Sequence, residues 1–237
     1  MFSYQYAYLI GIWVTLFPIW LFLFIHRKDL RREIFIINVL SGVSALFLEP
    51  LYLRDYWRPE TFTGWSIGIE DLLFGFFIGG IASSIYEEIF GKRFTKRRDR
   101  EHHWSWFIIP IVAFLIFILN LLVFVFGVNS MYASITVFIF FALFMLRFRK
   151  DLITDVFISG LLMGAIAFFA YIVFLSLFPE AINRWWMLKN ISGIMIFGIP
   201  IEEFMWAFGW GMAVGPMYEF FAGLKFKNLP STKLNLN

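Results

Sequence analysis

Apolar residues run along this chain in long uninterrupted blocks, and short segments between the blocks hold nearly all the charge. Tyr4 to Ile25 carries no charged residue. Neither does Trp104 to Leu146, which is long enough for two crossings joined by a polar turn at Gly127-Val128-Asn129-Ser130. About 20 apolar residues span a bilayer core. The pattern therefore predicts an all-α polytopic membrane bundle of seven transmembrane helices. Their expected ranges are Tyr4–Ile25, Ile34–Leu53, Ile67–Phe90, Phe107–Phe126, Met131–Leu146, Leu152–Phe178 and Gly193–Ala222. The first block has neither a basic lead nor a small-residue cleavage pattern, so it is expected to be a retained helix rather than a signal peptide.

Charge sets the expected orientation. With the N-terminus outside, sixteen of the 20 Lys and Arg fall in inside segments, and only Arg54, Arg58, Arg184 and Lys189 fall outside. Positive residues favour the cytoplasmic side, which predicts an integral protein of the cell membrane with its C-terminus in the cytoplasm. Composition agrees: 60% of the 237 residues are hydrophobic and 16% charged, and there are 33 Phe. Soluble domains average about a quarter charged. A net charge of +3 distributed in this way implies no nucleic-acid partner.

The chain also repeats itself. Arg27-Lys28-Asp29-Leu30 recurs as Arg149-Lys150-Asp151-Leu152, and Phe35, Ile36, Leu40 and Gly42 meet Phe157, Ile158, Leu162 and Gly164. After a ten-residue shift, Ile67, Ile69, Glu70, Phe76, Gly79, Tyr86, Glu87 and Gly91 meet Ile199, Ile201, Glu202, Phe208, Gly211, Tyr218, Glu219 and Gly223. That is sixteen identities in 41 aligned positions. The expected organisation is a first three-helix repeat over 1–92, a basic loop and linking helix over 93–127, a second repeat over 128–226 and a tail over 227–237. One linking span returns the chain to its starting side, so the copies run parallel about an axis near the membrane normal.

Acids within apolar helices are costly and call for a reason. Glu70-Asp71 and Glu202-Glu203 occupy matched places in the two copies. Pro200 is suited to a first helical turn, which puts each pair at the outer start of its helix. Capping and the helix dipole account for one acid there; two adjacent acids in both copies exceed that need. Neighbours on a helix point about 100° apart, so one member of each pair can face the bundle interior. Glu202 and Glu70 are expected to approach one another across the axis. Glu49-Pro50 closes the second span, as a cap or as a further acid. Arg54 to Pro59 reads as an interfacial belt or the lining of a mouth. Glu87 and Glu219, beside basic loops, read as salt-bridge partners, and Glu219→Gln is expected to be mild. Gly79, Gly80, Gly209 and Gly211 read as close helix packing.

The stretch Gly198-Ile199-Pro200-Ile201-Glu202-Glu203 resembles the Pro-x-Glu-Glu signature of the membrane-type lycopene cyclases. The fused form of that family is similar in size, in its two tandem three-helix units and in its seven spans. The first copy differs, with Gly68 at the proline position and Asp71 at the second acid. The resemblance implies an enzyme that closes the end of a linear carotenoid into a ring without redox change or cofactor. A carboxyl protonates the terminal double bond, a second double bond attacks the resulting cation, and a carboxylate removes a proton. Glu202, Glu203, Glu70 and Asp71 are then the expected catalytic acids. Trp206, Trp210 and Phe74 are expected to face the cation, with Phe77, Trp65 and Glu49 as further substrate contacts.

Two other readings stand beside this one: a non-catalytic module that binds an isoprenoid or carotenoid, and a proton-coupled transporter using the acids as a relay. The expected partners are a linear carotenoid or other long isoprenoid, the bilayer, and a second copy or other carotenoid enzymes. With no cysteine, and with His26, His102 and His103 all in cytoplasmic loops, no metal site is expected. The same absence argues against a metal-dependent intramembrane protease. No lysine stands in the seventh span for a Schiff base, and no glycine-rich phosphate loop is visible.

Overall fold

A computed structural model describes residues 3–96 and 107–228. His102, His103, much of the expected basic loop and most of the expected tail lie outside the described residues. The chain is an all-α polytopic bundle. Among the described residues, six helices are long and apolar enough to cross a membrane: α1 Tyr4–His26, α2 Arg31–Asp55, Ile69–Ile89, α5 Ile108–Val125, α6 Ser130–Phe148 and α7 Lys150–Leu177. The third divides into α3 Ile69–Ala82 and α4 Ile85–Ile89. Large apolar side chains cover the outside, Phe140 being 68% exposed. In lipid that costs nothing, which explains how a chain of this size carries 33 Phe.

The seventh expected span differs from its prediction. Residues 193–200 are not helical. Met195–Ile196 (β2) and Ile199–Pro200 (β3) pair as a hairpin, whose two turn residues, Phe197 and Gly198, both have positive φ (52° and 79°). That is the geometry a tight hairpin turn requires. Helix α9 starts only at Ile201 and ends at Val214, and α10 Met217–Ala222 follows. Pro216 has no N–H to continue the ladder, so the helix stops there. A short helix α8, Ala181–Trp185, follows α7.

The charged segments also differ from the expected loop and tail. Lys92–Lys96 (β1) pairs antiparallel with Leu224–Asn228 (β4), tying together the chain beyond α4 and beyond α10. At this basic end, Arg27 holds Asp29 through two hydrogen bonds of 3.0 and 2.9 Å and the Lys92 carbonyl at 2.6 Å. Arg149 does the same with Asp151, both at 2.8 Å, and with the Leu224 carbonyl at 2.6 Å.

Small residues let the helix pairs α2–α3 and α7–α9 close up. A Cβ on Gly79 would lie 2.3 Å from Ser41 Oγ, and one on Gly211 2.4 Å from the Ser159 carbonyl. Gly80 is equally tight, at 1.9 Å from Asn38 Oδ1. Gly209 is not part of these seams, since its nearest neighbour, Phe138 Cβ, is at an ordinary 3.4 Å.

Candidate active site

At the end of the bundle opposite the basic segments, a partly open apolar cavity of about 180 Å³ lies among α1, α2, α3, α7 and α9. Three carboxylic acids line it: Glu49, Asp71 and Glu203. All three are buried, at 6%, 1% and 8% exposure. Matched positions line it from both sides. Ala45 and Glu49 of α2 face it, as do Ala167 and Tyr171 of α7, each 122 residues on. Asp71 and Phe74 of α3 are joined by Glu203 and Trp206 of α9, each 132 residues on.

Each acid is held differently. Glu203 Oε1 accepts hydrogen bonds from the Tyr56 hydroxyl and, at 2.7 Å, from the Trp186 indole N–H. Burial and the Glu203 carboxylate push the Tyr56 hydroxyl well above its ordinary pKa, so Tyr56 remains a proton-bearing donor. Tyr171 also turns its polar end toward Glu203. Asp71 Oδ2 takes the Gly68 backbone N–H at 2.8 Å, an arrangement that Asp favours at the third position of a helix. Its Oδ1 and Glu49 Oε1 are buried without a hydrogen-bond partner. Glu49 and Asp71 interact electrostatically, and Tyr8 reaches Asp71. A buried polar atom without a partner costs about 1–3 kcal/mol, so each of these two calls for an explanation.

Rings form the rest of the wall. Trp206 and Trp210 stack at 5.5 Å with planes 3° apart, and Phe74 lies 6.2 Å from Trp206. The Trp206 N–H is fixed by the Tyr52 hydroxyl at 2.9 Å. Over the mouth two loops meet backbone to backbone: Arg58 N–H donates to the Trp185 carbonyl at 2.8 Å, and Met187 N–H to the Tyr56 carbonyl at 2.7 Å.

Glu70 and Glu202 do not line this cavity, and they do not face each other as expected. Glu70 accepts the Phe62 N–H at 2.5 Å, and Glu202 accepts the Ser192 N–H and the Tyr132 hydroxyl, both at 2.8 Å. Each anchors the loop that precedes its own helix, so the first acid of each pair holds the loop and the second points inward. Trp65 is 74% exposed on its loop, and Phe77 is buried among Trp13, Phe17 and Trp20, so neither joins Phe74, Trp206 and Trp210 at the cavity. In the Arg54–Pro59 stretch, Tyr56 and Trp57 line the cavity. Arg54 instead bonds the Val123 carbonyl at 2.7 Å, and Asp55 bonds the Ser130 hydroxyl at 2.6 Å.

Residues 129–221 match the family model described as lycopene cyclase. The matched stretch takes in α6, α7, α9 and most of α10, and with them Tyr171, Glu203, Trp206 and Trp210. No curated protein and no solved structure matches the chain. Tyr8, Tyr52, Tyr171 and Trp186 are site residues that the acid pattern alone did not single out. Tyr171 had one signal, its place 122 residues after Glu49.

Proposed function

We propose that this chain is a carotenoid end-group cyclase working by acid–base chemistry, with Asp71, Glu49 and Glu203 around the reacting end of the substrate. The observation that carries this reading is a single apolar, aromatic cavity lined by three buried carboxyls. A cavity of about 180 Å³ suits one end group, so the rest of a long polyene would remain among the apolar surfaces that face lipid. The lycopene cyclase match over 129–221 supports the same substrate class.

Roles follow from the surroundings. Two carboxyls facing one another in apolar surroundings share a proton, which makes Asp71 and Glu49 the proton donors to the terminal alkene. Trp206, edge-fixed by Tyr52, presents a ring face to the tertiary cation. Glu203, held by two donors, is the base that removes the proton and leaves a cyclohexene ring. Glu70 and Glu202 set the loops that position Asp71 and Glu203. The sequence repeat supports this division, because residues of α1–α3 and of α7–α9 both line the cavity, and Asp71 and Glu203 are 132 residues apart at matched positions.

Expression of the chain in a lycopene-accumulating host is expected to convert the linear pigment to cyclic products, read by chromatography. If several linear carotenoids all remain linear while the protein is inserted, the cyclase reading is lost and a binding module takes its place.

The loops over the cavity are proposed to lie outside and the basic end inside. Single cysteines introduced at Arg58 and Lys150 test this, since the chain has none of its own. A membrane-impermeant thiol reagent is expected to label position 58 in intact cells and position 150 only after lysis. Labelling in the opposite order overturns the orientation.

A further inference from the structure

A second group of acids lies at the basic end, away from the cavity. Glu87 on α4, Asp155 on α7 and Glu219 on α10 each offer a carboxylate oxygen, and these oxygens all lie within 4.8 Å of one another. The three residues are at most 1% exposed. The expected surface salt bridges of Glu87 and Glu219 are therefore not what forms. Among the described residues, no ion pair within 4 Å reaches any of the three. Of the nearby guanidiniums, Arg149 pairs with Asp151, while Arg27 pairs with Asp29 and Glu88 and also acts electrostatically on Glu87 and Glu33; one such charge does not balance four acids.

A fourth acid points to what balances them. Glu33 on α2 is 2% exposed, and neither of its carboxylate oxygens has a hydrogen-bond partner. It is the strongest charged neighbour of Glu219 and also acts on Glu87 and Asp155. Both Glu219 oxygens, Glu87 Oε1 and Asp155 Oδ2 are likewise without partners. Three buried carboxyls with oxygens within 4.8 Å of one another, a fourth beside them, and five oxygens among Glu33, Glu219 and Asp155 without partners form a surface suited to a cation. In sequence they are two matched pairs, Glu33 with Asp155 at 122 residues and Glu87 with Glu219 at 132.

We infer that Glu87, Asp155 and Glu219, with Glu33 beside them, bind one hard divalent cation that clasps the basic ends of the two three-helix units. All-oxygen ligands select Ca²⁺, Mg²⁺ or Mn²⁺ over softer metals. Three oxygens within 4.8 Å of one another lie at most about 2.8 Å from a common centre, so a small contraction reaches the Ca²⁺ range of about 2.3–2.6 Å, while Mg²⁺ requires a larger one, to about 2.1 Å. The chain has no cysteine, which excludes thiolate ligands; carboxylates make a site by themselves. Ser159, which donates to Asp155 Oδ1 at 2.7 Å, orients one ligand.

The inference does not rest on cyclase activity, and neither does its test. Purified full-length protein in detergent is dialysed against Mn²⁺, and bound metal is measured by elemental analysis and electron paramagnetic resonance. About one Mn²⁺ per chain is expected, displaced by Ca²⁺, with a raised unfolding temperature. Glu219→Gln and Asp155→Asn are each expected to weaken binding at least tenfold and to abolish the thermal shift, whereas Glu203→Gln binds as the native chain does. Should the variants fail to fold, the native stoichiometry decides alone. Less than about a tenth of an equivalent of Mn²⁺, or binding unchanged by both substitutions, overturns the site and leaves four acids that share protons.

Discussion

Glu203→Gln is expected to abolish cyclic product, with a loss of at least about 100-fold, while the protein still folds and inserts. Acid–base groups contribute about 10²- to 10⁴-fold, and a carboxamide cannot remove a proton from a carbocation intermediate. It can still accept the Tyr56 and Trp186 hydrogen bonds through its oxygen, so the fold loses little. Asp71→Asn is expected to fall as far, since an amide does not protonate an alkene but still accepts the Gly68 N–H. The contrast lies one residue away. Glu202→Gln and Glu70→Gln keep their bonds to Ser192 and Phe62 and are expected to cost only a few-fold. The readout is the ratio of cyclic to linear carotenoid per inserted protein. Equal losses at Glu202 and Glu203 would remove the division between loop anchor and base. Full activity in the Asp71→Asn, Glu203→Gln double variant would end the acid–base mechanism altogether.

That division also marks how far the sequence could be read. Apolar blocks and charge placement carry the helices, because hydropathy and length are one-dimensional properties. The sequence repeat is equally legible, and each acid pair opens a helix, α3 or α9. Which acid of each pair turns inward depends on helix phase, and phase is set by contacts that the pattern does not contain. Gly68 N–H takes Asp71 and Phe62 N–H takes Glu70, and those loop donors come from irregular backbone. Residues 193–200 are apolar enough to read as helix, yet the Phe197-Gly198 turn and Pro200 favour a hairpin. Glu87 and Glu219 stand beside basic segments in sequence, and that neighbourhood alone predicts a salt bridge. In space Arg27 bonds Asp29 and Arg149 bonds Asp151, and among the described residues no ion pair within 4 Å reaches Glu87 or Glu219, which leaves the acids buried together.

Gly80→Met is expected to destabilise the protein by about 3 kcal/mol or more, and Asn38→Gly in the same chain is expected to recover much of it. The reason is an exchange of large and small residues between the two copies. On the first side Asn38 of α2 meets Gly80 of α3, where a Cβ on Gly80 would lie 1.9 Å from Asn38 Oδ1. On the second side the matched positions are Gly160 of α7 and Met212 of α9, where a Cβ on Gly160 would lie 2.8 Å from Met212 Cγ. Each seam has room for one side chain, supplied from opposite helices. Overpacking a close seam costs about 1–3 kcal/mol and more when backbone must move. Asn38 has both amide atoms buried without partners, so removing it breaks no hydrogen bond, and glycine in a helix costs only about 1 kcal/mol. Rescue stops short of complete because Trp20 Cδ1 also stands 2.9 Å from the Gly80 Cβ position. Thermal unfolding of the two single variants and the double variant in detergent gives the coupling, expected at about 1.5 kcal/mol or above, within the range for residues in contact. Additive losses would mean that the two seams are not equivalent, and the parallel-repeat organisation would lose its packing argument. Activity should follow the same order, because α3 carries Asp71 and α2 carries Glu49, so a displaced seam separates the two proposed proton donors.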